Sequence, residues 1–171
     1  MILKSKNLVL RPYKTKDLEE LISNLNDKKV TRFMSGAVYP YTKNDGIKWL
    51  KRCHTLKRKN SRKEIIFVIE KGKKFVGSIS LNKIKKHKAE LGFWIGRKYW
   101  NQGIMTEAVR TVTEFAFNKL NLKKAYAYVF SKNRNSARVL EKNGFKIEGF
   151  LKKDRYKDGK LVDVYLYAKI K

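Results

Sequence analysis

The chain has 171 residues, enough for one domain with a sizeable core, and its 42% hydrophobic and 12% aromatic content excludes a disordered chain. No apolar run approaches the roughly 20 residues that span a bilayer, so no membrane segment is expected; Met1 to Leu10 lack the long apolar stretch of a secretory signal. The net charge of +27 is distributed as +5 over residues 1–50, +13 over 51–100 and +9 over 101–171, which excludes a detachable basic tail.

The basic residues are densest at Lys57-Arg58-Lys59, Arg62-Lys63 and Lys83 to Lys88. Such a field attracts polyanions, including RNA and ribosomes. Lys supplies 32 of the 42 basic residues, however, which equally fits a lysine-rich composition with no nucleic-acid role. Cys53 is the one cysteine, so an intrachain disulfide is impossible and a cytoplasmic setting is expected. His54 and His87 stand apart from each other and from any Cys, so no metal site is expected.

In chain order, Leu8 to Tyr13 reads as a first strand. Thr15 or Asp17 is placed to cap a helix carrying Leu18, Leu21, Ile22 and Leu25. Residues 30–46 read as irregular, punctuated by Gly36, Pro40 and Gly46, and a second helix is expected over Ile47 to Leu56. Ile65 to Glu70 and Phe75 to Leu81 form a predicted hairpin, and Ala89 to Ile95 a further strand. A long helix follows to about Leu120, with Met105, Ala108, Val109, Val112, Phe115 and Ala116 on one face. Lys124 to Val129 is the next strand, and Asn135 to Asn143 a short helix ended by Gly144. Strands over Lys146 to Leu151 and Leu161 to Ile170 flank a turn at Asp158-Gly159. The order predicts an α+β fold: a mixed, mostly antiparallel central sheet with helices on both faces, in a single domain over 1–171. It lacks regular βαβ alternation and a G-x-G-x-x-G turn, which argues against NAD.

The loop between Ile95 and the long helix carries the clearest chemistry. A strand that feeds a short loop and a helix N-terminus aims free backbone N–H groups and the positive end of the helix dipole at one point, an anion site suited to phosphate. Gly103 permits close backbone approach, and no Asp or Glu precedes Glu107 in the loop.

Three ordered blocks now carry a resemblance. Ala89 to Ala108 contains Tyr99-Trp100-Asn101-Gln102-Gly103-Ile104-Met105-Thr106-Glu107-Ala108. Asn133 to Phe145 contains Asn133-Arg134-Asn135-Ser136-Ala137-Arg138-Val139-Leu140-Glu141-Lys142-Asn143-Gly144-Phe145 and runs on to Gly149. Leu8 to Pro12, and Asp158-Gly159 with Asp163 to Tyr167, add weaker support. Together they resemble the GNAT acetyltransferase superfamily, and within it most resemble the branch that acetylates the N-terminal amines of ribosomal proteins. The resemblance implies acetyl-CoA as donor and a primary amine as acceptor, with direct attack in a ternary complex. It places the pyrophosphate on Asn101, Gln102, Gly103, Ile104, Met105 and Thr106, and the pantetheine along a splayed strand edge at Phe93, Trp94 and Ile95. It adds Asn133, through its amide, to the pantetheine contacts, and Asn135 and Arg138 of the helix block to the cofactor contacts.

The catalytic groups follow the family less closely. Many members carry a tyrosine acid at the position that Leu140 occupies, so that acid is absent; Ser136 stands where the ribosomal-protein branch has a serine implicated in protonating the thiolate. The branch's glutamate base falls on Arg155, before Tyr156, and Asp154 would point to the opposite face of an extended segment. Glu90 is the preferred substitute base, on the strand face of Gly92 and Trp94. Asn101 replaces the usual first glycine of the loop and tolerates left-handed backbone angles.

The charge bears on the acceptor. A field of +27 repels a polyamine, so a protein or peptide amine is expected, with its pocket built from segments 30–46 and 152–160. The alternatives are a small-molecule amine acetyltransferase acting on a polyamine or antibiotic, and a non-catalytic RNA- or ribosome-binding module on the same fold. Monomer and homodimer are both compatible with the sequence.

Overall fold

The computed structural model describes residues 1–58 and 63–171; Lys59 and Arg62 of the basic runs lie outside the described residues, as do the side chains of Lys57 and Arg58. Among the described residues eight strands form one sheet. They are β1 (Leu3–Lys4), β2 (Val9–Arg11), β3 (Ile65–Lys71), β4 (Lys74–Asn82), β5 (Lys88–Ile95), β6 (Lys124–Phe130), β7 (Lys146–Lys157) and β8 (Lys160–Ile170). Their spatial order is β1-β2-β3-β4-β5-β6-β8-β7. Every described pairing is antiparallel except β5 with β6, which are joined by a crossover through the long helix that follows β5.

Strand alternation divides the apolar residues between two cores. On one face α4 (Ile104–Asn118) and α5 (Arg134–Glu141) cover Phe67, Ile69, Leu91, Ala125 and Ala127. On the other, α1 (Leu18–Leu25), the one-turn α2 (Lys28–Thr31) and α3 (Lys43–Arg58) cover Val68, Phe75 and Trp94. The mixed sheet with helices on both faces is therefore the architecture that the element order predicts.

Five local expectations change. The first strand is shorter than Leu8 to Tyr13, because Pro12 has no N–H to donate to a ladder, and β1 pairs outside it. Asp17 precedes α1 without capping it: its carboxylate accepts the Lys14 N–H at 2.7 Å and two Arg11 bonds at 2.8 Å, closing a 3-10 turn. Segment 30–46 contains α2 and the first turn of α3. Gly46 lies inside α3, where a Cβ would stand 2.7 Å from Leu18 Cδ1; its place is set by close helix packing. Finally, β7 runs six residues past Leu151 because two register shifts, one across Leu151 and Arg155, let a strand with Lys153 at φ 52° keep pairing with β8.

Candidate active site

The single parallel pairing ends early. Lys88, Ala89 and Glu90 pair with Lys124, Ala125 and Tyr126, and no residue of β5 beyond Glu90 pairs with β6. β5 stays with β4 as far as Ile95, and β6 stays with β8 as far as Phe130, so the two strands part like a fork. The fork leaves backbone N–H and C=O groups on the inner edges unpaired within the sheet, a surface ready for an extended amide-bearing ligand. A cleft of about 390 Å³ fills it, walled by residues 91–95 and 127–130, with residues 99–106 at one end.

That end is built by two left-handed residues. Asn101 has φ 60° and Gly103 φ 72°, which turn the chain into α4 within a few residues. The first intrahelical bond runs from Glu107 N–H to the Gly103 carbonyl at 3.0 Å, so the preceding N–H groups at the helix start have no intrahelical partner. A Cβ on Gly103 would meet nothing within 4 Å, so the approach to these groups is open. Trp100 Nε1 donates to the Ile95 carbonyl at 3.0 Å and ties the loop to the end of β5. Glu107 faces elsewhere, accepting the Asn7 N–H at 2.9 Å and its amide at 3.2 Å, which keeps its charge off the loop. Among the described residues no Asp or Glu lines the cleft, whereas Lys29, Arg32, Arg138 and Lys142 do. Open N–H groups, a helix dipole and a carboxylate-free, cationic lining together fit a pyrophosphate, and the forked edge fits a pantetheine arm.

The sequence-predicted residues fall as follows. Phe93, Trp94, Ile95, Asn101, Gln102, Gly103, Ile104, Met105, Thr106, Asn133, Asn135, Arg138 and Ser136 all line this cleft. The Gln102 side chain is drawn aside, donating to the Lys98 carbonyl at 3.1 Å and accepting from Lys71 at 3.4 Å. Asn133 caps α5: its Oδ1 accepts the Ser136 N–H at 3.2 Å, and its Nδ2 donates to Ser136 Oγ at 3.0 Å. Leu140, at the tyrosine position, is fully buried in the core and away from the cleft.

Glu90 is not among the lining residues. It sits at the root of the fork, paired in register with Asn82 and Tyr126, and its carboxylate meets Lys83 Nζ at 2.8 Å. That carboxylate holds the Lys83 ammonium above its usual range; burial first, then Glu90, pushes the Tyr126 hydroxyl up. Gly92, two residues along on the same strand face, does line the cleft, and a Cβ there would stand 3.1 Å from both Ser80 Oγ and Asn82 Nδ2. Asp154 is ion-paired with Arg155 at 3.1 Å, and the Arg155 guanidinium stacks 4.5 Å from the Tyr128 ring centre.

Segments 30–46 and 152–160 touch, Lys157 Nζ donating to the Ala37 carbonyl at 3.0 Å, but only Val30, Arg32, Phe33 and Met34 of the first line the cleft and no residue of the second does. The adjoining wall contains residues that the motifs did not single out, Lys29, Arg32, Phe33, Met34, Tyr128 and Phe130. Phe33 meets Phe130 edge-on at 6.4 Å, and Arg32 lies 4.5 Å from the Phe33 ring centre. The two-residue alternation of Tyr126, Tyr128 and Phe130 was the available signal for an aromatic face on β6. Among the described residues no His, Cys, Asp and Glu side chains gather as a metal-binding group.

Comparison with known proteins agrees with this geometry. The family model for the acetyltransferase (GNAT) domain matches residues 7–146. An uncharacterised N-acetyltransferase, p20 of Bacillus licheniformis, is 26% identical over 98% of this chain and 94% of its own. The ribosomal-protein-serine acetyltransferase of Escherichia coli is 31% identical over 61% of this chain and 60% of its own. The spermidine N(1)-acetyltransferase of the same organism is 26% identical over 88% and 78%. Among solved structures, the ribosomal L7/L12 alpha-N-protein acetyltransferase RimL in complex with coenzyme A superposes with a TM-score of 0.89 at 22% identity, over 99% of this chain and 98% of the other.

Proposed function

The chain belongs to the GNAT acetyltransferase family and is an acetyl-CoA-dependent N-acetyltransferase; on that premise we propose that its acceptor is the N-terminal amine of a protein or peptide. One observation carries the choice. Among the described residues the cleft is lined by four cations and no carboxylate, so a polycation such as spermidine finds no counter-charge in it, whereas an amine on a neutral or acidic peptide does not need one. The likeness to the ribosomal-protein-serine enzyme points the same way, and the likeness to the spermidine enzyme makes the test a direct one.

Acetyl-CoA supplies the activated thioester. The N–H groups around Gly103 and the α4 dipole hold its pyrophosphate, with Arg138 adding charge, and the free edge of β5 at Phe93, Trp94 and Ile95 pairs with the pantetheine amides. Asn133 and Asn135 border the same arm. The aromatic wall of Phe33, Tyr128 and Phe130 seats the acceptor backbone. Glu90 takes a proton from the acceptor ammonium through water along the Gly92 face, since it does not itself line the cleft. A β5 backbone N–H donates to the developing oxyanion, and Ser136 donates to the departing sulfur.

Steady-state turnover with a panel of peptides differing at the first residues, set beside spermidine and free amino acids, tests the acceptor class. Peptide turnover with the higher kcat/KM is expected. A clear preference for spermidine defeats the proposal, and acetyl-CoA binding without turnover of any amine would favour the non-catalytic alternative.

A further inference from the structure

We infer that Asn133 is a positioning residue that fixes the direction in which Ser136 donates its proton. The inference rests on the reading that Ser136 donates to the departing sulfur. The geometry leaves the amide one orientation. The Ser136 backbone N–H can only donate, so the oxygen of Asn133 must face it, at 3.2 Å. The amide nitrogen is then the atom 3.0 Å from Ser136 Oγ, and it can only donate. Ser136 Oγ is therefore the acceptor in that bond, with a lone pair committed to the amide. Its own O–H finds no protein acceptor among the described residues, and Ser136 lines the cleft. The hydroxyl proton is thereby left to the cleft.

A free serine hydroxyl at the third position of a helix usually has a competing use, donating back to a carbonyl one turn earlier. The amide of Asn133 biases the hydroxyl rotor by taking the opposite end of the oxygen. During transfer the amine nitrogen forms its bond to the acetyl carbon, the carbon–sulfur bond breaks and the sulfur keeps the electron pair. Ser136 passes its proton to that sulfur and is reprotonated from cleft water, which carries the proton lost by the amine; Asn133 ensures that the hydroxyl is already aimed at the sulfur.

Asn133→Asp separates this role from capping. Aspartate caps a helix as well as asparagine and still accepts the Ser136 N–H. Its second oxygen, standing where the amide nitrogen stood, can only accept, so it pulls the Ser136 proton out of the cleft. Asn133→Ser keeps the cap and supplies neither the donor nor the competing acceptor. Melting temperature, acetyl-CoA Kd and saturating kcat are measured for these two variants, for Ser136→Ala and for the Asn133→Asp/Ser136→Ala double variant. Expected are near-native melting temperatures and a kcat order of native, then Asn133→Ser, then Asn133→Asp. Asn133→Asp should be as slow as Ser136→Ala, a loss of roughly 10²-fold, with no further loss in the double variant. If Ser136→Ala is slow but Asn133→Asp turns over at the native rate, or if the two losses multiply, the positioning role is overturned while the serine donor stands. If Ser136→Ala turns over at the native rate, the donor reading fails and takes this inference with it. A rise in acetyl-CoA Kd with native kcat would place Asn133 on the pantetheine alone and also overturn it.

Discussion

Lys157, two residues from the tip of the last hairpin, donates its ammonium to the carbonyl of Ala37, 120 residues earlier in the chain, at 3.0 Å. The bond fastens the β7–β8 hairpin to the segment between α2 and α3, whose Arg32, Phe33 and Met34 line the cleft although the hairpin itself does not. Lys157→Met should loosen that lining and leave the phosphate end intact. A rise in acceptor KM of roughly 3- to 10-fold is expected, the scale of one charge-assisted hydrogen bond. Acetyl-CoA Kd, measured by calorimetry, should stay within about twofold.

Gly103 separates backbone conformation from charge at the anion site. With φ 72° and open space where a Cβ would go, Gly103→Ala meets conformational strain alone, about 1 kcal/mol. Gly103→Glu adds a carboxylate where the pyrophosphate is proposed to lie. Coenzyme A binding by calorimetry should weaken modestly in the first variant and roughly 10-fold further in the second.

Glu90 stands at the root of the fork and outside the cleft lining, so a base acting from there works on protons without holding either substrate. Glu90→Gln should lower kcat by roughly 10²-fold and leave acetyl-CoA Kd unchanged. A matched series of kcat and Kd values checks it; a change in Kd alone removes Glu90 from proton transfer.

Glu107 gives the protein an acid-sensitive contact. Burial opposes its ionisation, but the backbone and amide of Asn7, with Ser5 and Arg110, outweigh this and hold its carboxyl below the usual glutamate range. A carboxyl lowered by folding contributes stability above its unfolded pKa of about 4.3 and loses it as pH falls through the lower, folded value. Because the carboxylate is largely solvated, screening keeps the effect under about 1 kcal/mol. Glu107→Gln should lower the melting temperature slightly at pH 7, and the gap to the native protein should begin to close as pH falls below about 4.3 and vanish once the folded carboxyl is protonated. Thermal melts across pH 3 to 7 check the sign.

Arg11 and Asp17 form a bidentate pair with both bonds at 2.8 Å, both side chains almost wholly buried, and Glu70 reaches the same guanidinium at 2.6 Å. Asp17→Asn should destabilise by about 3 kcal/mol, because a buried cation keeps only part of its counter-charge. The shift in the denaturant midpoint reports it, with acetyl-CoA affinity preserved.

The sequence made the phosphate end legible because its message is local: a strand, Asn101, Gly103 and a helix face at one spacing. The helix beginning near Asn133 was equally readable, since cap and C-terminal Gly144 lie close together in the chain. The acceptor end was less so. Arg32, Phe33 and Phe130 meet only after folding, and nothing near Phe33 in sequence announces a partner 97 residues on. Gly46 misled for the same reason: it resembles loop punctuation, and only the packing of α3 on Leu18 explains it. The register shifts of β7 leave no residue signature, and so the strand's length could not be read.

The fork between β5 and β6 has a thermodynamic consequence. The ladder from β1 to β5 and the ladder from β6 to β8 share three residue pairs, so much of the hydrogen bonding across their border is left for a guest to complete. A pantetheine arm lying in the fork acts as a ninth, removable strand. Donor binding should therefore slow amide hydrogen exchange along Leu91–Ile95 and raise the melting temperature in proportion to the logarithm of donor concentration above Kd. In a cell, the supply of acetyl-CoA would then set how firmly the two halves of this enzyme hold together, as well as how fast it turns over.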